Sequence, residues 1–159
     1  MIETAAMDKK PKVLILVGSK NDLPKLEEAF NFLREMGVEF VAEVSSAHRN
    51  PEKTVEYAKT ARDKGIEVII AAAGLAAHLP GVLAAHTTLP VIGVPLSAGA
   101  IKGLDSLLSI VQMPSGVPVA TVGIDATKNA AILACQILSI KYEEIAERLK
   151  KFKEELKSN

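Results

Sequence analysis

A serine, a histidine and an arginine follow closely on one predicted strand, at Ser46, His48 and Arg49. The arginine suits an anionic group, because its planar guanidinium can donate two hydrogen bonds to one phosphate. The histidine can take up and release a proton near neutral pH. Since ligands of open α/β sheets bind at the carboxyl ends of the strands, this segment predicts proton chemistry on a phosphorylated small molecule. A Ser–His–acid triad with Asp22 is an alternative, but the chain has no G-x-S-x-G turn to present a nucleophile.

The loop at 18–22 follows another predicted strand and offers further polar groups. Ser19 stands at the start of a predicted helix, where its hydroxyl and the free N–H groups can hold a phosphate. Asp22 can accept hydrogen bonds from ribose hydroxyls, and Asn21 lies beside it. A capped helix with a polar first turn is the alternative interpretation, with Asp22 as the cap.

The loop at 71–81 is rich in alanine and glycine, including Ala73, Gly74 and Ala76. Small side chains over such a length leave the backbone open to a flat ligand. His78 in this loop is either a second imidazole facing the ligand or a buried histidine bonded to backbone. A fourth loop at 95–103 is expected to act as a flexible cover.

Short apolar runs alternate with helical patterns along the chain. Buried strands are predicted at 12–17, 39–44, 68–72, 91–94 and 117–122. Helices are predicted from the Asp22 cap to Gly37, at 51–64, 79–86 and 103–112, and from 125 or 127 to the end. This order favours parallel βαβ units with right-handed crossovers. We therefore predict an α/β, three-layer flavodoxin-like (Rossmann-like) fold with a five-stranded parallel sheet in the order 2-1-3-4-5 and a long C-terminal helix.

Residues 1–10 are predicted to be a flexible tail, and residues 11–159 one catalytic α/β domain with a C-terminal helical arm. The charged segment 141–159 carries a thin apolar stripe, formed by Ile145, Leu149, Phe152 and Leu156. Two interpretations stay open for it. It is either a solvated terminal helix or an arm that packs on another subunit.

The composition excludes several classes of function. The 159 residues are 48% hydrophobic and 4% aromatic, which predicts a core of Ala, Val, Ile and Leu. Lys+Arg and Asp+Glu both number 19, so the chain has no basic field for nucleic acid or an anionic membrane. One cysteine and three widely separated histidines predict no metal site. The single cysteine fits a reducing cytoplasm. The N-terminal residues lack the pattern of a secretory signal. The apolar stretch 68–94 is interrupted by glycine, proline and histidine and is not expected to span a membrane.

Several motifs in order resemble one family closely. They begin with Gly18-Ser19-x-x-Asp22, Ser46-Ala47-His48-Arg49-x-Pro51 and Ala76-Ala77-His78-Leu79-Pro80-Gly81. Matching segments follow at 89–95, 109–119 and 129–131, so the resemblance covers roughly residues 13–138. The family is that of the catalytic subunit of phosphoribosylaminoimidazole carboxylase, whose bacterial form is N5-carboxyaminoimidazole ribonucleotide mutase. The sequence looks like its class I.

This resemblance implies a reaction of purine biosynthesis. The family's mutase moves a carboxylate from the exocyclic nitrogen of the imidazole ribonucleotide to ring carbon 4, through CO2 and without ATP, metal or organic cofactor. Similar proteins are homo-octamers with sites near subunit boundaries. By match of motif, Arg49 and Ser19 would hold the 5′-phosphate and Asp22 the ribose. His48 would be the general acid/base, with Ser46 either placing it or touching the base. The remaining expected substrate-binding residues are Asn21, Ala73, Gly74, Ala76 and His78.

The sequence departs from the family pattern at three positions. Asn21 stands where the family usually has a second serine, and Ala72 and Leu75 occupy two positions that are usually glycine. A related class carboxylates aminoimidazole ribonucleotide directly with CO2. That class carries lysine at the position of Arg49 and lacks the Ala-Ala-His-Leu-Pro-Gly block, so the mutase is favoured here. A non-enzymatic, ribonucleotide-binding paralogue is the third alternative.

Overall fold

A computed structural model describes residues 9–158 of the chain. The strands are β1 (Val13–Val17), β2 (Phe40–Val44), β3 (Val68–Gly74), β4 (Val91–Leu96) and β5 (Ala120–Thr121). The helices are α1 (Glu27–Glu35), α2 (Pro51–Thr60), α3 (Leu79–Ala85), α4 (Leu104–Val111), α5 (Thr127–Ser139) and α6 (Glu143–Lys157). A short 3-10 helix, Lys20–Leu26, precedes α1. The predicted tail at 1–10 lies mostly outside the described residues.

The strands form one parallel sheet in the order β2-β1-β3-β4-β5, which confirms the predicted topology. Its central strands β1, β3 and β4 are buried almost throughout, as the continuous apolar runs predict for strands covered on both faces. On one face, Ile15 and its neighbours pack with α1, α5 and α6. On the other, Leu16 and its neighbours pack with α2, α3 and α4. The sheet therefore forms the middle layer of three.

Several predicted elements have different bounds in the structure. The helix predicted to reach 64 ends at Thr60 and continues as turns to Gly65, whose φ of 86° favours glycine. The strand predicted at 117–122 shrinks to Ala120–Thr121, since Pro118 has no N–H to donate and the N–H of Val117 turns back to Pro114. The predicted continuous C-terminal helix is two helices, because Tyr142 adopts an extended conformation between them.

The break before α6 fastens the end of the chain to its own sheet. The Tyr142 hydroxyl and the Lys141 ammonium both donate to the Glu67 carboxylate, just before β3. Further along α6, Phe152 meets Phe32 edge to face at a centroid distance of 5.0 Å. Arg148 Nη1 donates to the Met36 carbonyl at 2.6 Å, satisfying an open group at the end of α1.

Helix α6 carries the predicted apolar stripe of the C-terminal segment. Of the predicted apolar stripe, Ile145 and Leu149 are buried and Phe152 is half-buried, while Leu156 is 53% exposed. Most of the stripe therefore packs on the same chain. Among residues 9–158, no helix is long and apolar enough to cross a membrane.

Gly93 lies where β4 and α4 approach each other closely. A β-carbon added there would lie 2.4 Å from Ile110 Cγ2 and 2.9 Å from Val119 Cγ1. We therefore expect Gly93→Ala to lower the free energy of unfolding by about 1–3 kcal/mol through overpacking. Chemical denaturation measures this, with Gly123→Ala as the control, because a β-carbon at Gly123 meets nothing closer than 3.7 Å. Equal stability of the two variants would show that α4 can move away at little cost.

Candidate active site

A cleft of about 360 Å³ opens at the carboxyl edge of the sheet, where the loops after β1, β2, β3 and β4 meet. This is the edge at which open α/β sheets bind their ligands. Every predicted site residue except Asn21 lines it. These lining residues are Ser19, Asp22, Ser46, His48, Arg49, Ala73, Gly74, Ala76 and His78.

The loop after β1 places Asp22 in the cleft by a different local structure from the one predicted. The helix cap is Ser19, whose Oγ accepts from the Asn21 N–H at 3.3 Å, and the chain enters a 3-10 helix at Lys20. The predicted capping role of Asp22 is therefore wrong. Because its carboxylate is not used at the cap, it remains available to the cleft. Asn21 is exposed outside the cleft lining, and its backbone N–H serves to fix the Ser19 hydroxyl.

The loop after β2 is held as a tight turn. The Asn50 N–H donates to the Ser46 carbonyl at 2.9 Å, and the Asn50 side chain caps α2 through the Lys53 N–H at 3.1 Å. The buried Ser45 hydroxyl contacts Thr54 Oγ1 at 2.8 Å, which joins the end of β2 to α2. This framework leaves the intervening residues, His48 among them, facing the cleft.

The two cleft imidazoles contact each other directly. His48 Nε2 lies 2.7 Å from His78 Nδ1, with the rings nearly perpendicular at 76°. A hydrogen bond between these two nitrogens needs one proton, so a cationic His48 can donate to a neutral His78. If both imidazoles were cationic, two N–H groups would face each other and the hydrogen bond would be lost. His78 is exposed to the cleft, so the alternative of a buried histidine bonded to backbone is wrong. A contact of this geometry can hold one shared proton.

Arg49 reaches back towards the loop after β1. Its Nη2 lies 3.4 Å from the Gly18 carbonyl, and its Nε lies 3.4 Å from Ser46 Oγ, which also accepts from the Arg49 N–H at 3.3 Å. Ser46 is thus engaged with the arginine and orients it. Since these bonds are long and the guanidinium is exposed, several of its N–H donors remain open to an anion.

The floor of the cleft is apolar. Beside the predicted Ala73, Gly74 and Ala76, the cleft lining includes further apolar side chains, namely Ala47, Leu75, Ala77, Leu79 and Ala98. The sequence did not identify most of these as site residues, because small apolar residues are equally typical of the packed interior of a protein. Ala98 places the predicted cover loop against the cleft.

A polar network anchors that fourth loop and was not predicted. The Ser97 N–H donates to Asp125 Oδ1 at 2.9 Å and its hydroxyl donates to Oδ2, while Lys25 Nζ donates to the Ser97 carbonyl at 2.8 Å. Lys25 Nζ also lies 3.7 Å from Asp22 Oδ1. Asp22 and Asp125 are 103 positions apart in sequence, and so only the folded chain brings the residues of this network together. The network ties the start of the cover loop to Asp22.

The fold and the cleft define a class: an α/β protein whose cleft at the sheet edge holds two contacting imidazoles and an exposed arginine over an apolar floor. A family model described as AIR carboxylase matches residues 12–159. The chain belongs to that family.

Relatives and solved structures agree with this assignment. The chain is 63% identical to the N5-carboxyaminoimidazole ribonucleotide mutase of Pyrococcus abyssi, over 92% of this chain and 84% of the relative. It is 57% identical to the protein of the same name from Saccharolobus solfataricus, over 94% of each chain. The crystal structure of Treponema denticola PurE is similar with a TM-score of 0.85 and 31% identity, covering 94% of this chain and 93% of that one.

Proposed function

We propose that this protein is an N5-carboxyaminoimidazole ribonucleotide mutase of purine biosynthesis, with His48 as its general acid and base. The observation that carries the proposal is the 2.7 Å contact between His48 and His78 in a cleft that also presents Arg49. The name shared by relatives at 57–63% identity supports the same reaction.

The charged groups of the cleft suit the ribonucleotide part of the substrate. Arg49 and Ser19 come from adjacent loops and would bind the 5′-phosphate between them, since the guanidinium presents open donors at that point. Asp22 accepts from the ribose hydroxyls, with Lys25 Nζ at 3.7 Å holding its carboxylate. With the phosphate at Arg49, the base lies over the apolar floor near His48.

The reaction then needs one proton delivered and one removed. Cationic His48 protonates the exocyclic nitrogen as its bond to the carboxylate breaks, which releases CO2 and leaves neutral His48. Ring carbon 4 attacks the CO2, and the hydrogen on that carbon passes to His48 as a proton. The imidazole returns to its starting state, so the two steps balance and call for no ATP. His78 Nδ1 accepts from His48 Nε2 and so steadies the cationic imidazole before the first step and after the second.

The CO2 must remain beside ring carbon 4 until the new bond forms. Ala73, Gly74 and Ala76 offer it a floor that cannot hydrogen-bond through side chains and therefore holds little water. Confinement of this kind replaces a bimolecular collision by a reaction between neighbours.

Turnover of purified protein tests the proposal. We expect rapid conversion of N5-carboxyaminoimidazole ribonucleotide and little use of aminoimidazole ribonucleotide with low bicarbonate, both followed by absorbance of the carboxylated product. Efficient use of the second substrate alone would assign the protein to the direct carboxylases. Binding of the ribonucleotide without any turnover would make it a binding paralogue.

We also propose that the protein acts as a homo-octamer, as its family resemblance implies. Helix α4 and the turn before it expose Ile101, Leu104, Leu108 and Val111, all between 47% and 56% accessible. Their spacing places them on one helix face, and a continuous apolar surface of this kind is typical of a protein interface. A second copy of the chain is the occupant that the family implies.

Sedimentation velocity tests the assembly. The wild-type protein should sediment as a species with eight times the mass of one chain. Leu108→Glu should yield smaller species, because burying a charged side chain in an apolar interface is unfavourable. A monomeric wild-type protein, or an octamer unaffected by the substitution, would contradict this interface.

We place the protein in the cytoplasm, where its free and buried Cys135 would stay reduced.

A further inference from the structure

Leu75 combines three features that folding alone does not explain. Its φ is 55°, a left-handed conformation that a branched residue rarely adopts. Its side chain is 53% exposed and lines the cleft directly after β3. Backbone strain at a non-glycine residue persists where the surroundings impose it, and it clusters at functional sites. The combination therefore points to a role for the side chain in the cleft.

The Leu75 side chain is matched to a glycine on the opposite loop. Gly99 follows β4 with a φ of 62°, and a β-carbon added to it would lie 2.8 Å from Leu75 Cδ2. One residue earlier in each loop, a β-carbon at Gly74 would lie 3.1 Å from the Ala98 β-carbon. Leu75 therefore spans from the loop after β3 to the bare backbone of the loop after β4. The two loops together form a continuous apolar wall.

The opposite loop is fixed in place to receive it. Ser97, two residues before Gly99, is held by the Asp125 carboxylate and by Lys25 Nζ. Asp125 itself has a φ of 57°, and its N–H donates to the Pro95 carbonyl at 2.8 Å. This anchoring limits movement of the loop after β4. The contact between that loop and Leu75 therefore forms a stable side of the cleft.

We infer that Leu75 is a specificity-determining residue that closes the apolar wall over the CO2 released in the cleft and so favours recapture of that CO2 over exchange with solvent. The inference rests on the proposed function. CO2 has no net dipole or charge and is retained by an apolar enclosure, whereas water and bicarbonate are excluded from one. A glycine at this position would leave the wall open beside Gly99.

A label-retention experiment tests this. The substrate carries 13C in its migrating carboxylate, the buffer contains unlabelled bicarbonate, and mass spectrometry reads the label in the product after subtraction of loss in an enzyme-free sample. The wild-type protein should retain nearly all of the label. Leu75→Gly should lose several-fold more label to solvent and release more aminoimidazole ribonucleotide, while the KM for the ribonucleotide stays close to the wild-type value.

Two further variants separate the role of the side chain from an effect on folding. Leu75→Met preserves apolar volume and should retain the label as the wild type does. Leu75→Asn suits a positive φ but removes the apolar surface, and it should lose the label like Leu75→Gly. Because both glycine and asparagine relieve the strained conformation, the Tm of each variant should equal or exceed that of the wild type.

The outcomes also distinguish this inference from the proposed function. If the wild-type protein converts the substrate but the glycine and asparagine variants retain the label fully, the inference is overturned and the mutase assignment stands. A raised KM with full retention would instead make Leu75 a contact for the ribonucleotide, which also overturns it. If the wild type does not convert the labelled substrate at all, the proposed function fails and the inference falls with it.

Discussion

The His48→Asn protein is expected to turn over N5-carboxyaminoimidazole ribonucleotide more slowly by about a hundredfold to ten-thousandfold, the usual contribution of a positioned general acid or base. Asparagine has nearly the shape of part of the imidazole but cannot exchange a proton near neutral pH. Both proposed proton transfers pass through His48, and so the variant loses the two steps together. Stopped or continuous absorbance assays of product formation measure the effect.

Binding and stability provide the controls for that experiment. His48 is exposed and lies in a turn outside the core, so the variant should unfold at the same denaturant concentration as the wild type and bind the product within a few-fold. His86→Asn, at the exposed end of α3, is a matched change of the same type and should leave turnover unaltered. Turnover of His48→Asn at the wild-type rate would remove His48 from the mechanism.

The second large effect is expected at the arginine. Arg49→Met should raise the KM for the ribonucleotide about tenfold to a hundredfold, because a hydrogen bond to a charged group contributes about 1.5–3 kcal/mol. The kcat should change little, since Arg49 binds a part of the substrate that does not react. Steady-state kinetics at varied substrate concentration separate the two parameters.

A substrate without its phosphate makes the arginine prediction specific. The corresponding riboside should bind the wild-type protein and Arg49→Met equally weakly, because neither then has a phosphate to pair. Arg62→Met changes an exposed arginine that donates to Thr88 away from the cleft, and its KM should match the wild type. An equal loss of affinity for nucleotide and riboside in Arg49→Met would assign Arg49 to some other part of the ligand.

The fold follows from the sequence because its signals are local and agree with one another. The runs at β1, β3 and β4 are apolar at every position, which only a strand covered on both faces requires. Helical patterns between them force parallel pairing, and the handedness of the crossovers leaves few topologies. The observed strand order β2-β1-β3-β4-β5 is the predicted one.

The differences arise where local and distant interactions compete. Asp22 has the side chain of a helix cap, yet the Ser19 hydroxyl takes that role first and the chain enters a 3-10 helix instead. The helix after Thr127 has good propensity throughout, but Tyr142 leaves helical geometry as its hydroxyl bonds to Glu67, which lies 75 positions earlier in the chain. No sequence window contains both partners of that bond.

The site also contains residues that the sequence predicts and contacts that only the folded chain shows. Residue types and their positions after strands predict that Ser19, His48 and Arg49 share a cleft, since the carboxyl ends of parallel strands meet at one edge. The contact between His48 and His78 joins residues 30 positions apart and depends on the register of β1 between β2 and β3. The wall between Leu75 and Gly99 likewise requires the positive φ of both residues, which the apolar pattern does not encode.

The role of His48 and the placement of the substrate can be seen in a crystal structure of the His48→Asn protein with 4-carboxy-5-aminoimidazole ribonucleotide bound. The variant should retain the ligand without converting it. We expect the 5′-phosphate within hydrogen-bond distance of Arg49 and Ser19, the ribose at Asp22, and the base over Ala73 and Ala76, beside His78 and the substituted side chain. A phosphate bound away from Arg49, or a base outside hydrogen-bond reach of position 48, would contradict the proposed mechanism.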